Sequence, residues 1–125
     1  MRECSVKMLD DKNLEFAKVL QRIGVPHNVA TIITYLMNVD RATVRDIELG
    51  SDLKQPDVCT ASRVLRDNGW LEETDVKRGG KGRPFRVYKL KATVFEIIRH
   101  FEEEKTRESI QIMEDIQKLR EMAAS

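Results

Sequence analysis

The sequence predicts a mainly α-helical fold with one small β hairpin, and three observations lead there. Apolar residues recur at helical spacing in several separate stretches, each opened or closed by cap and stop residues. One six-residue run, Phe85-Arg86-Val87-Tyr88-Lys89-Leu90, alternates apolar and basic side chains, as a half-buried strand does. Three glycines, Gly79, Gly80 and Gly82, separate that run from the Trp70-Leu71-Glu72-Glu73-Thr74 segment, which reads as the start of a partner strand. A length of 125 residues suits one domain with an appended helix.

Asp10 or Asp11 caps a first helix whose apolar face carries Phe16, Val19, Leu20 and Ile23, and Gly24 ends it. Pro26 suits the first turn of a second helix bearing Val29, Ile32, Ile33 and Leu36, a core face. Thr43 with Asp46 resembles a capping box and opens a short helix with Ile47 inward. Gly50-Ser51-Asp52 reads as a turn, and Leu53 as a core anchor.

The next helix starts at Gln55-Pro56, where proline is tolerated because no backbone donor is needed. Gly69 is a left-handed stop, and Trp70 beyond it packs back on Leu65 in a Schellman arrangement. Val58, Ala61, Ser62 and Leu65 form a narrow buried stripe, which points Cys59, Thr60, Arg63, Arg66 and Asp67 away from it. After the hairpin, Thr93 and Glu96 form a second capping box. They open a long helix with Val94, Ile97, Ile98 and Phe101, and later Ile112, Met113, Ile116 and Leu119. The polar interval Glu102 to Ser109 interrupts this stripe, so the helix is exposed or bent there.

Three helices followed by a hairpin is the plan of a winged helix-turn-helix, here with an N-terminal helix and a long C-terminal helix added. The division expected is a winged domain over residues 1–91 and a C-terminal dimerisation helix over 92–125.

Net charge is only +1, but its distribution is uneven. Residues 52–76 sum to −3, residues 77–91 to +7 without an acid, and residues 102–125 to −3. A uniformly solvated surface rarely sorts charge in this way. No run has the roughly 18 apolar residues of a membrane span, and no signal segment opens the chain. Two cysteines, Cys4 and Cys59, are too few for a disulfide framework, so a reduced, cytoplasmic setting is expected. His27 and His100 stand without cysteine or carboxylate at ligand spacing, so no metal and no cofactor are expected. Gly79-Gly80-Lys81-Gly82 lacks the spacing of a phosphate-binding loop and lies in a hairpin, and no nucleophile–base pair is visible, so an enzyme is not expected.

The run LKQPDVCTASRVLRDNGWLEE carries a resemblance. It is similar to the winged-helix transcriptional regulators of archaeal type related to the MarR, ArsR and TrmB families, over roughly Gly24 to Leu90. Gln55-Pro56-Asp57-Val58 matches the opening of their recognition helix, and Leu65…Gly69-Trp70-Leu71 matches their exit into the wing. The loop from Lys77 to Arg83 resembles that wing. The Asp-x-Arg wing pattern common in MarR proteins and the paired-cysteine metal motif of ArsR sensors are absent.

The resemblance implies binding to double-stranded DNA, and the charge sorting points the same way on its own. A protein that neutralises phosphates gains affinity by releasing condensed counterions. Glycines allow a wing to approach the backbone closely, with Lys77, Arg78, Lys81 and Arg83 supplying charge; the alternative is a hairpin that is merely solvated. A helix of about 20 Å suits a major groove about 12 Å wide. On it, Gln55 suits adenine, Arg63 reaches guanine or phosphate, and Cys59 and Thr60 lie between them. Asp57 either accepts from cytosine, orients Arg63, or complements the helix dipole. Arg66 is a phosphate contact or a surface ion pair. Cys59 is a redox switch or an ordinary small residue.

The C-terminal stripe of Ile112, Ile116 and Leu119 needs a partner, and Phe16 and Leu20 on the first helix offer another apolar face. The expectation is a homodimer presenting two recognition helices to a near-palindromic site; the alternative is a tail folded back on its own domain. The competing functional reading is a winged-helix protein-interaction module that does not bind DNA. Nothing in the sequence identifies an effector ligand.

Overall fold

The computed structural model describes residues 10–76 and 85–125. Five helices and a small antiparallel sheet make up a mainly helical winged helix-turn-helix: α1 (Asp11–Arg22), α2 (His27–Leu36), β1 (Ala42–Thr43), α3 (Val44–Ser51), α4 (Gln55–Asp67), β2 (Leu71–Val76), β3 (Phe85–Leu90) and α5 (Val94–Ala124). The chain divides into two compact units, residues 1–93 and 94–125.

In the first unit α2 is the central helix. Every residue from Val29 to Leu36 is buried, more than the single expected face, because α1, α3, α4 and β3 all pack on it. Two of these residues are polar, and both hydroxyls are satisfied within the helix: Thr31 Oγ1 donates to the His27 carbonyl and Thr34 Oγ1 to that of Ala30, each at 2.8 Å. Asn38 ties the end of α2 to α1, donating to Asn13 Oδ1 at 3.0 Å and to the Thr34 carbonyl at 2.7 Å. Asp10 is the cap of α1, accepting from the Asn13 backbone at 2.9 Å. Leu20 and Ala17 form that helix's buried face, whereas Val19 and Ile23, read on the same apolar face as Leu20, are exposed. The helix meets α2 along a narrower stripe than its apolar spacing suggested.

Thr43 closes both halves of a capping box with Asp46: Thr43 Oγ1 accepts from the Asp46 backbone and Asp46 Oδ2 from the Thr43 backbone, each at 3.1 Å. The same threonine ends β1, a strand not anticipated. With two residues, β1 is too short to show an alternation, and it exists only through pairing with β3. The sheet is therefore three-stranded, in the order β1-β3-β2, with β3 central. Central placement explains why Val87 and Tyr88, adjacent and so on opposite faces, are both buried. The expected turn at Gly50-Ser51-Asp52 is instead the end of α3: the helix runs through Ser51, and Asp52 takes the left-handed conformation with φ 59°. Aspartate tolerates that region better than most residues. Leu53 is a core residue, as expected.

The second unit is α5, 31 residues long and continuous through Glu102 to Ser109, about 46 Å at 1.5 Å per residue. Ile97 is its buried residue. Ile110, Ile112, Met113, Ile116, Leu119 and Met122 are exposed along its C-terminal half.

Candidate nucleic-acid interface

The geometry of the candidate interface begins with how α4 is fixed. Val58, Ala61, Ser62 and Leu65 are buried, the four residues the spacing singled out. They lock one face of the helix into the domain, so the opposite face is held toward solvent. Its C-terminus closes as a Schellman motif. Gly69 N donates to the Arg66 carbonyl at 2.9 Å and Trp70 N to the Leu65 carbonyl at 3.0 Å, with Gly69 at φ +77°. Lys91 N then donates to the Trp70 carbonyl at 2.7 Å, clamping the base of the β2–β3 pair. The exit of the helix and the start of the sheet are thus covalent neighbours held by three backbone bonds.

At the other end no side chain caps α4. Asn28, in the first turn of α2, bridges instead: its Nδ2 donates to the Asp57 carbonyl at 3.3 Å, while its Oδ1 accepts from Val29 N at 2.8 Å. Sequence spacing gives no hint of this link between residues 29 positions apart.

Gln55, Asp57, Cys59, Thr60, Arg63 and Arg66 are all exposed, so the structure brings the six expected α4 residues to one solvent-facing side. Asp57 stands in the first turn, where a negative charge complements the helix dipole. Thr60 Oγ1 donates its proton to the Pro56 carbonyl at 3.0 Å. Its oxygen therefore meets any incoming ligand as an acceptor, with the methyl beside it. Cys59 is a free thiol. Arg66 is not free: its guanidinium pairs with Glu73 Oε2 on β2. Lys77, Arg78, Lys81 and Arg83 lie outside the described residues.

The sheet contributes charged residues that sequence reasoning did not connect. Across the β2–β3 pair, Glu73 stands opposite Tyr88 and Asp75 opposite Arg86, so these four share one face. Arg86 reaches Glu73 Oε1 at 3.5 Å and Asp75 Oδ1 at 3.4 Å. The hydrogen bond to Asp75, together with the charges of Glu73 and Asp75, raises the Arg86 pKa above its ordinary value. Burial, with the Glu73 charge adding to it, raises the Tyr88 hydroxyl pKa, and the nearby Arg86 opposes that. The signal for this cluster lay in hairpin register, which pairs residues of equal summed position once one pair is known.

Among the described residues no group of three or more His, Cys, Asp or Glu side chains is placed to hold a metal. No helix among them is long and apolar enough to cross a membrane.

No family model matches the sequence, and no curated protein does. Solved structures do resemble it. NadR in complex with 4-hydroxyphenylacetate is similar at a TM-score of 0.50 and 17% identity, with 99% of this chain and 96% of that chain covered. A MarR family regulator from Neisseria meningitidis aligns with a TM-score of 0.48 and 17% identity, over 87% of this chain and 83% of that one. The likeness to NadR is one of fold, the winged helix.

Proposed function

We propose that this chain is a sequence-specific, DNA-binding transcriptional regulator that works as a homodimer. The observation that carries the reading is the two-sidedness of α4. Four small or apolar residues bind it to the domain, and the opposite side presents Gln55, Asp57, Cys59, Thr60 and Arg63, with a segment of +7 charge following after β2. A helix so mounted enters the major groove, with Gln55 suited to adenine and Arg63 to guanine or phosphate. Lys77, Arg78, Lys81 and Arg83 then follow the backbone or the minor groove as the wing. The winged domain spans 1–91 and the dimerisation helix 92–125.

The dimer is supported by the exposed apolar row of Ile112, Ile116 and Leu119 on α5, a stripe at the 4-then-3 spacing of a helix–helix seam. On α1, Leu20 already serves the domain core; half-buried Phe16 with exposed Val19 and Ile23 forms the apolar shoulder available to a second copy.

The test is binding to a mixed-sequence DNA duplex, followed by fluorescence anisotropy across a salt series. Wild type is compared with a variant carrying Arg78→Ala, Lys81→Ala and Arg83→Ala. The log–log salt slope of the variant should be shallower by about 0.9 for each phosphate it no longer neutralises. An unchanged slope removes the wing from the DNA surface. Absence of wild-type binding even at low salt leaves the protein-interaction module as the reading.

A further inference from the structure

We infer that Glu73 withholds Arg66 from DNA and, together with Asp75, also Arg86, so that these carboxylates set how many phosphates the winged face neutralises. This deepens the DNA-binding reading and rests on it.

The two oxygens of Glu73 each take one arginine. Oε2 pairs with Arg66 from the last turn of α4, and Oε1 with Arg86 from β3 at 3.5 Å. Asp75, two residues along on the same face of the sheet, holds Arg86 Nε at 3.4 Å. The arginines therefore come from the two elements that flank the backbone in a winged-helix complex, the recognition helix and the wing. A carboxylate between them cancels their charge where phosphates would approach and adds its own repulsion. Glu73 itself is well seated, with its side chain 18% exposed, whereas the side chains of Arg66 and Arg86 are 45% and 52% exposed. The acid is thus the better-seated member of each pair. Each arginine that must leave a carboxylate to meet DNA contributes less net affinity than one that waits unpaired.

Glu72 supplies an internal control. It lies on the opposite face of β2, exposed, and its cross-strand neighbour is Lys89. Removing its charge changes the net charge of the protein by the same amount without releasing Arg66 or Arg86.

The experiment measures the salt slope of binding to a mixed-sequence duplex for wild type, Glu73→Gln, Glu72→Gln, the pair Arg66→Ala with Arg86→Ala, and that pair in the Glu73→Gln background. Glu73→Gln should steepen the slope by about 0.9, for Arg66, since Asp75 still holds Arg86; that is worth about 8-fold in affinity at 0.1 M salt when both curves are referred to 1 M. Glu72→Gln should leave the slope unchanged. The arginine pair should hardly alter the slope in wild type, and should abolish the gain in the Glu73→Gln background, the pattern of a coupled cycle. The proposal is overturned if Glu73→Gln and Glu72→Gln have the same slope. It is also overturned if the arginine pair alone removes about two units, since the arginines would then meet phosphate with Glu73 in place. Should Glu73→Gln fail to fold, that last comparison still decides. Binding by none of the five proteins refutes the DNA-binding reading itself, and the proposal with it.

Discussion

Replacing Gly69 with alanine isolates the backbone geometry that joins the recognition helix to the sheet. Gly69 has φ +77°, and a Cβ built there meets nothing within 4 Å. The effect of Gly69→Ala is therefore purely one of dihedral angle. Holding an L-residue in the left-handed region costs about 1–2 kcal/mol. Alanine also restricts the unfolded chain, which offsets about 0.4–1 kcal/mol. The net expectation is a loss of about 1 kcal/mol of stability, and a smaller loss for Gly69→Asn, since asparagine tolerates this region. Urea unfolding followed by the fluorescence of Trp70, the single tryptophan and the adjacent residue, gives the midpoint directly. Protein concentration is held constant because association shifts apparent stability. An unchanged slope m shows that the shift is one of stability and not of compactness. If Gly69→Ala is as stable as wild type, the left-handed stop does not matter. If alanine and asparagine each lose more than about 3 kcal/mol, a side-chain clash is responsible, and the open space around Gly69 is wrong.

Three further outcomes are expected. Thr43→Ala should lose about 1 kcal/mol by urea unfolding, and adding Asp46→Ala should cost less than the sum of the two, because they form one reciprocal box. Tyr88 has a folded-state pKa above its unfolded value, so its contribution is complete below about pH 10 and is lost as pH rises further. Stability of wild type should thus fall in alkali, and Tyr88→Phe should flatten that fall when unfolding is measured between about pH 9 and 11. Ile112→Glu with Ile116→Glu places charge on the exposed α5 stripe. It should convert dimer to monomer in sedimentation or light scattering while circular dichroism keeps the helical signal; a dimer that persists sends the interface elsewhere.

Elements whose information is local were legible in the residues. The buried stripe of α4, the Schellman exit at Gly69-Trp70, the Thr43–Asp46 box and the limits of β3 each depend on spacings of a few positions, which the chain carries whatever packs around it. What was not legible was non-local. The spacing puts Val19, Leu20 and Ile23 on one apolar face, but which of them the domain covers depends on where α2 lies: Leu20 is buried, and Val19 and Ile23 are exposed. Thr31, Thr34 and Tyr35 are buried because α2 is surrounded, which no residue of α2 announces.

The sequence by itself determined the helices and the hairpin, their order, and the concentration of +7 charge over residues 77–91. Only the tertiary structure decided the third strand, since a two-residue strand has no meaning without β3 beside it. It alone also decided the electrostatics of the candidate interface. Counted along the chain, Arg66 and Arg86 are free positive charges; the register of β2 on β3 and the exit angle of α4 set Glu73 between them. Charge is a property of residues, but whether it is available to a phosphate depends on which carboxylate folding brings within reach.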